Sequence, residues 1–170
     1  HAALDAAYKK IASSDVLAGM SDVAIEAEAR RTVRIAIESK GRVFGDADDL
    51  RKAAGLWLEQ VVAAWLRYER DARRGIPWKV QSLEQDRKMA FPAGEAEAIE
   101  VRFRVDRIDE LPDETLLLLD FKTSSTAKGK SLWNGERPKE PQLPLYASLL
   151  EQQGFCVEGL AFANLSARDA

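Results

Sequence analysis

Between Ile99 and Lys122 two strand-forming runs flank Leu111-Pro112-Asp113-Glu114, and this segment constrains the fold more than any other. In the first run Ile99, Val101, Phe103 and Val105 alternate with Glu100, Arg102, Arg104 and Asp106, the pattern of a half-buried strand. The second opens with four leucines, Leu116 to Leu119, and leads into Asp120-Phe121-Lys122. A short run buried on both faces suits a central strand. Pro112 and Asp113 supply the chemistry of a tight turn. A hairpin centred near Asp113 opposes residues whose numbers sum to about 226. Asp106 then faces Asp120 and Arg104 faces Lys122, while Asp120 and Lys122, two apart, share one face of their strand. A slip of one residue would send Asp106 to the other face.

Two facing carboxylates in a sheet repel, and desolvation makes the repulsion worse. Three remedies exist: protonation of one, pairing with cations, or a bound divalent metal. Lys122 and Arg104 are at hand for ordinary pairing. Metal is the sharper reading, because oxygen ligands with coordination positions to spare are what Mg²⁺ requires to hold water and a phosphate. In that reading Lys122 stabilises charge developing on the phosphate or orients the attacking water.

The rest of the chain divides at Pro77, where the hydrophobic period changes from helical to alternating. Before it, Ala2 to Ala12 reads as an Ala-rich helix with Leu4, Tyr8 and Ile11 at helical spacing. Ser21-Asp22 caps a second helix running to about Lys40, with Gly41 ending it. A third starts near Asp46 to Asp49 and carries Leu58, Val61, Val62, Trp65 and Leu66 as one core stripe. Arg70, Arg73 and Arg74 close it, where cations suit a helix C-terminus. After it come a strand within Trp78 to Phe91, the hairpin, a polar loop from Thr123, a helix from Pro141 through Leu150 closed by Gly154, and a last strand in Gly159 to Leu165. Helices, three strands, a helix and a strand predict an α/β fold: one mixed sheet flanked by helices, with an N-terminal helical portion.

At 170 residues and 46% hydrophobic content, this is one domain rather than two, with residues 1–75 as its helical portion and 76–170 as its α/β core. Both ends read as cuts, so the domain is expected to come from a longer polypeptide. A net charge of -3 excludes a uniformly basic nucleic-acid coat but leaves room for a local basic groove. One cysteine, Cys156, excludes an internal disulfide and any four-cysteine zinc or iron–sulfur site built from this chain alone. No apolar run reaches the ~20 residues of a membrane span, and the compartment reads as cytoplasmic. Lys128, Lys130, Arg137 and Lys139 crowd the loop after the hairpin, with Trp133 among them. Such a loop grips a single strand by charge and stacking, or is simply a solvated basic loop.

Three blocks carry a family resemblance: Val105-Asp106-Arg107-Ile108-Asp109, Leu119-Asp120-Phe121-Lys122-Thr123, and Pro141-Gln142-Leu143-Pro144-Leu145-Tyr146-Ala147. Their order and spacing resemble the nuclease domains of the RecB/AddB branch of the PD-(D/E)XK superfamily. That branch carries an Ile-Asp-Arg-Ile/Val-Asp strand, an Asp-Tyr-Lys-Thr strand and a Gln-x-x-x-Tyr helix. Phe121 stands for the usual Tyr and Val105 for the usual Ile. His1-Ala2-Ala3-Leu4 is similar to the second half of a helical Gly-x-x-x-His-x-x-Leu motif, although a histidine at this place is equally a remnant of a tag. The resemblance implies a restriction-endonuclease-like sheet. It implies Asp106 and Asp120 as ligands of Mg²⁺ or Mn²⁺, with His1 and the Phe121 carbonyl completing the shell, and Lys122 as the catalytic lysine. Glu84 resembles an acidic position that supports the site, and Gln142 and Tyr146 a pair that braces it and contacts DNA.

The activity implied is exonucleolytic cleavage of single-stranded DNA ends in double-strand break repair, beside a helicase-like region or subunit and with no membrane. AddB-type relatives hold an iron–sulfur cluster through four cysteines, which this chain does not supply. The alternative is a nuclease-like module that binds DNA or assembles without cutting, although such modules lose the Asp-x-Lys residues that this chain keeps. A stand-alone nuclease of another branch is a third reading.

Overall fold

The computed structural model describes residues 1–39, 47–93, 96–123 and 139–165. Five helices and four strands follow in order: α1 (Ala2–Ile11), α2 (Ser14–Ala18), α3 (Asp22–Ser39), α4 (Asp48–Ala72), β1 (Lys79–Ala93), β2 (Ala96–Glu110), β3 (Leu116–Lys122), α5 (Gln142–Gln152) and β4 (Val157–Asn164). The strands form one sheet in the order β1-β2-β3-β4, so the mixed α/β architecture expected from the sequence holds. The helix end expected at Gly41 falls outside the described residues, as does the greater part of the polar loop after Thr123.

The chain divides into two compact units, one built on His1–Lys79 and the other on Val80–Lys122 with the α5–β4 segment up to Ala163. The first is a helical packing whose core is made of Leu4, Tyr8 and Ile11 from α1, Leu17 from α2, Ile25, Ala29 and Val33 from α3, and Val61, Val62 and Leu66 from α4. Helix α2 is a finding that helical periodicity misses: five residues are too short to show a period, but Ser13 caps it by accepting from the Val16 amide. Polar groups are stitched into this core. Tyr8 donates its hydroxyl proton to buried Glu69 and accepts from Trp65 Nε1 at 2.7 Å. Arg73 reaches Glu69 at 2.9 Å and lies 5.1 Å over the Trp78 ring, so one of the three closing arginines serves packing.

Glu28 is the second such point. It is 3% exposed, receives the Arg31 guanidinium from one turn along α3, and takes Lys10 of α1 at 2.9 Å. Burial alone pushes the Glu28 carboxyl up, but the hydrogen bonds and charges of Arg31 and Lys10 outweigh it and hold it below its ordinary 4.5.

In the second unit the turn at Leu111 to Glu114 is built as its residues dictate. Leu111 N–H donates to the Thr115 carbonyl at 2.9 Å, and Asp113 accepts from the Thr115 hydroxyl at 2.7 Å. Arg107 opposes Leu119, Ile108 opposes Leu118, Asp109 opposes Leu117 and Glu110 opposes Leu116. Every pair sums to 226, the register anticipated from the turn. Helix α5 begins behind Pro141, runs to Gln152, and is followed by Gly154 at φ +90°. It packs Leu143, Tyr146, Leu149 and Leu150 onto Val105, Ile108, Leu116 and Leu118. The Leu116 amide donates to the Cys156 carbonyl at 2.8 Å and so begins the contact with β4.

Because the folded-state pKa of Glu28 is depressed, its contribution is full above 4.5 and is lost as pH falls through the lower folded value. Glu28→Ala is expected to cost about 2 kcal/mol at neutral pH, as charged hydrogen bonds are removed. Glu28→Gln is expected to flatten the fall in stability below pH 4.5. Urea denaturation as a function of pH measures both.

Candidate active site

The site grows out of the β2–β3 register. The paired ladder runs as far as Arg107–Leu119, Asp106 and Asp120 are the next residues on the two strands, and the Phe121 amide bonds the Asp106 carboxylate there. Both carboxylates are nearly enclosed, at 8% and 5% exposure. Two carboxylates brought near each other and out of water disfavour each other's charge. The strands are held there by leucine packing on one side of the ladder and the tight turn beyond it, so the repulsion must be answered locally.

Two local contacts answer it. The Phe121 amide donates to Asp106 Oδ2 at 2.7 Å, turning that carboxylate toward β3. Lys122 brings Nζ to 2.6 Å from Asp120 Oδ2 along the same strand face and lies 5.5 Å over the Phe162 ring of β4. Burial pulls the Lys122 ammonium down, but Asp120 above all, with Glu140 and Asp106 behind it, raises it above its ordinary value. Lys122 is therefore a full cation at neutral pH, and it is three-quarters buried beside the carboxylate it pairs with.

The neighbouring row of the sheet is also ionic, though differently from the sequence expectation. Arg104 pairs with Glu84 of β1, while Lys122 pairs with Asp120. A second ion pair, Lys88–Glu100 at 3.2 Å, joins β1 to β2. Glu84 adopts φ +43°, a left-handed conformation costly for a residue with a Cβ and a mark of local irregularity in a strand. Gln142, at the start of α5, donates Nε2 to the Arg104 carbonyl at 2.8 Å. Tyr146, one turn on, lies in the core against the hairpin, so it braces the strands by packing. On the other face of β2, Arg107 and Asp109 form a bidentate pair at 2.6 and 2.8 Å, both with no exposure at all.

Asp106, Asp120, Phe121, Lys122, Glu84, Gln142 and Tyr146 thus belong to one compact unit. His1 belongs to the other, exposed as the residue before α1. Lys128, Lys130, Trp133 and Arg137 lie outside the described residues.

Comparison with known proteins agrees with this geometry. A sequence model of the PD-(D/E)XK nuclease superfamily matches residues 1–166. The chain belongs to that superfamily. A search of curated proteins finds no match. Membership points to a nuclease acting on phosphodiester bonds and to DNA as its partner. Among the described residues no helix is long and apolar enough to cross a membrane.

Nucleases of this superfamily generally use divalent metal ions. Among the described residues no three His, Cys, Asp or Glu side chains gather as a metal group. Asp106 and Asp120 nevertheless supply two buried carboxylates, and β3 supplies backbone carbonyl oxygen beside them. Hard oxygen donors of this kind fit Mg²⁺ or Mn²⁺. The sequence offers Asp109 as a turn cap or as a partner of Arg107, two residues away on one strand face, rather than as a metal ligand, and the structure shows the pairing with Arg107.

Arg107→Met leaves the Asp109 carboxylate buried without its bidentate partner and is expected to cost about 3 kcal/mol. The double variant Arg107→Met/Asp109→Leu is expected to recover much of that loss. Equilibrium unfolding of the three proteins measures the difference.

Proposed function

We propose that this domain is a Mg²⁺- or Mn²⁺-dependent deoxyribonuclease of the RecB/AddB-like branch, in which Asp106, Asp120 and Lys122 carry the chemistry. The observation that supports it most is the bond from the Phe121 amide to Asp106, which ties that carboxylate to the strand carrying Asp120, with the Lys122 ammonium against Asp120. Asp106 and Asp120 would hold the metal, with the Phe121 carbonyl and His1 as further donors. When bound, the metal supplies an activated water and a counter-charge for the phosphate oxygens.

The chain's own residues do the rest. The Phe121 amide fixes the orientation of the Asp106 carboxylate, so the donor oxygens need not reorganise during the reaction. Lys122 stays protonated and offers an ammonium to charge building on the phosphate, or holds the attacking water by a hydrogen bond. Its length and three donors let it do so while leaning on Asp120. Glu84 and Gln142 support the strand next to the carboxylates, and Tyr146 supports it from the core. Lys128, Lys130, Trp133 and Arg137 would grip the incoming strand by charge and stacking.

The substrate we propose is the end of single-stranded DNA, cut exonucleolytically during double-strand break repair in the cytoplasm. A net charge of -3 supports delivery of that strand by a helicase-like region or subunit, since the domain has little overall attraction for DNA. Residues 1–170 act as one nuclease domain of a longer protein in this proposal.

End-labelled linear single-stranded DNA, incubated with Mg²⁺, Mn²⁺ or EDTA, tests the reading. Cleavage is expected with either metal and not with EDTA. Lys122→Ala is expected to lower the rate by about 10²- to 10³-fold, as removal of one preorganised electrostatic donor does. Asp120→Ala is expected to abolish cleavage. Equal activity in the wild type and both variants would remove these residues from the mechanism.

A further inference from the structure

We infer that Arg104 is a phosphate-binding residue of this site, held beside the carboxylates by Glu84; the inference rests on the nuclease reading and names the group that receives the substrate backbone. Arg104 lies on β2 two residues before Asp106 and pairs with Glu84 of β1. Asp106 in turn accepts from the Phe121 amide of β3, next to Asp120. Residues two apart on a strand share a face, so the guanidinium rises from the same face as the carboxylates, about 7 Å along the strand from Asp106.

Three features distinguish it from an arginine that merely holds strands together. Its side chain is 53% exposed, where Asp106, Asp120 and Lys122 are mostly covered. A guanidinium has five N–H donors, and Glu84 takes the group through Nη2, so donors remain for the planar, paired contact that phosphate favours. A solvent-exposed ion pair of this kind adds little to stability, so strand pairing alone is a weak reason for it.

The holding arrangement is built with some cost. Glu84 reaches Arg104 from a left-handed backbone conformation, and Gln142 fixes the Arg104 carbonyl from α5. The guanidinium is thereby held by Glu84 and its backbone by Gln142, while the side chain stays half exposed. A phosphate approaching Asp106 and Asp120 would meet Lys122 against the carboxylates and Arg104 at the rim. Arg104 would pull the strand in without touching the scissile bond, which makes it a binding group more than a rate-determining one.

Fluorescence anisotropy with a labelled single-stranded oligonucleotide tests this in Ca²⁺, a hard cation for the same oxygen donors, over a series of salt concentrations. Loss of one phosphate contact on a single strand makes the slope of log affinity against log salt shallower by about 0.7. Arg104→Gln is expected to show that change with a several-fold weaker affinity, and Arg104→Lys, which keeps the charge, to keep most of the slope. Thermal unfolding of both variants is expected to match the wild type closely. The inference is overturned if Arg104→Gln keeps the wild-type slope and affinity. It is equally overturned if both variants lose affinity only in step with stability, or if the wild type fails to bind. Cleavage in Mg²⁺ or Mn²⁺ is scored separately. A wild type that cuts while Arg104→Gln binds normally sinks the arginine's role and leaves the nuclease. A wild type that binds through Arg104 and never cuts does the reverse.

Discussion

The antiparallel register between β2 and β3 is the constraint on which the rest of the second unit depends. It is set by a five-residue connection at Leu111 to Thr115 and by the leucines that must face α5. With Ile108 opposed to Leu118, the next residues on that face are Asp106 and Asp120, and the Phe121 amide ties Asp106 to β3. Apolar packing therefore enforces an electrostatic conflict. Burying the hairpin leucines is worth about 2 kcal/mol for each side chain, which is enough to hold two carboxylates together against their repulsion.

The Phe121 amide bonds Asp106, and the Lys122 ammonium pairs with Asp120. Two buried carboxylates are hard donors of the kind that suit a divalent cation. This is the physical link between the hairpin's packing and a metal-dependent reaction: the same register that completes the core produces a patch of oxygen donors with Lys122 at its edge. The Arg107–Asp109 pair on the reverse face stiffens the same strand from behind with a fully buried bidentate bond next to Asp106.

Much of this was legible in the sequence, and the reason is local. Pro112 and Asp113 place the turn within one residue, and alternation in β2 decides the faces, so the register from Arg107–Leu119 to Glu110–Leu116 follows by counting. The helix after Pro141 was legible for a similar reason, with Pro before it and Gly154 beyond its end. The β1 register was not legible. Its residues from Gln81 to Lys88 are polar at nearly every position, so no alternation marks a buried face. The sequence left Arg104 at hand for the aspartates as one option, and its partner in the structure is Glu84. Helix α2 escaped because one turn has no period, and the tie from Glu28 to Lys10 because it joins residues far apart in the chain.

The central claim is that Asp106 and Asp120 form one oxygen-donor site. Titration of the purified domain with Mn²⁺, followed by electron paramagnetic resonance of the free ion, tests it without requiring turnover. The account predicts binding by the wild type that is lost in Asp106→Asn and in Asp120→Asn, with each variant still folded by circular dichroism. Undiminished Mn²⁺ binding by either folded variant would contradict it.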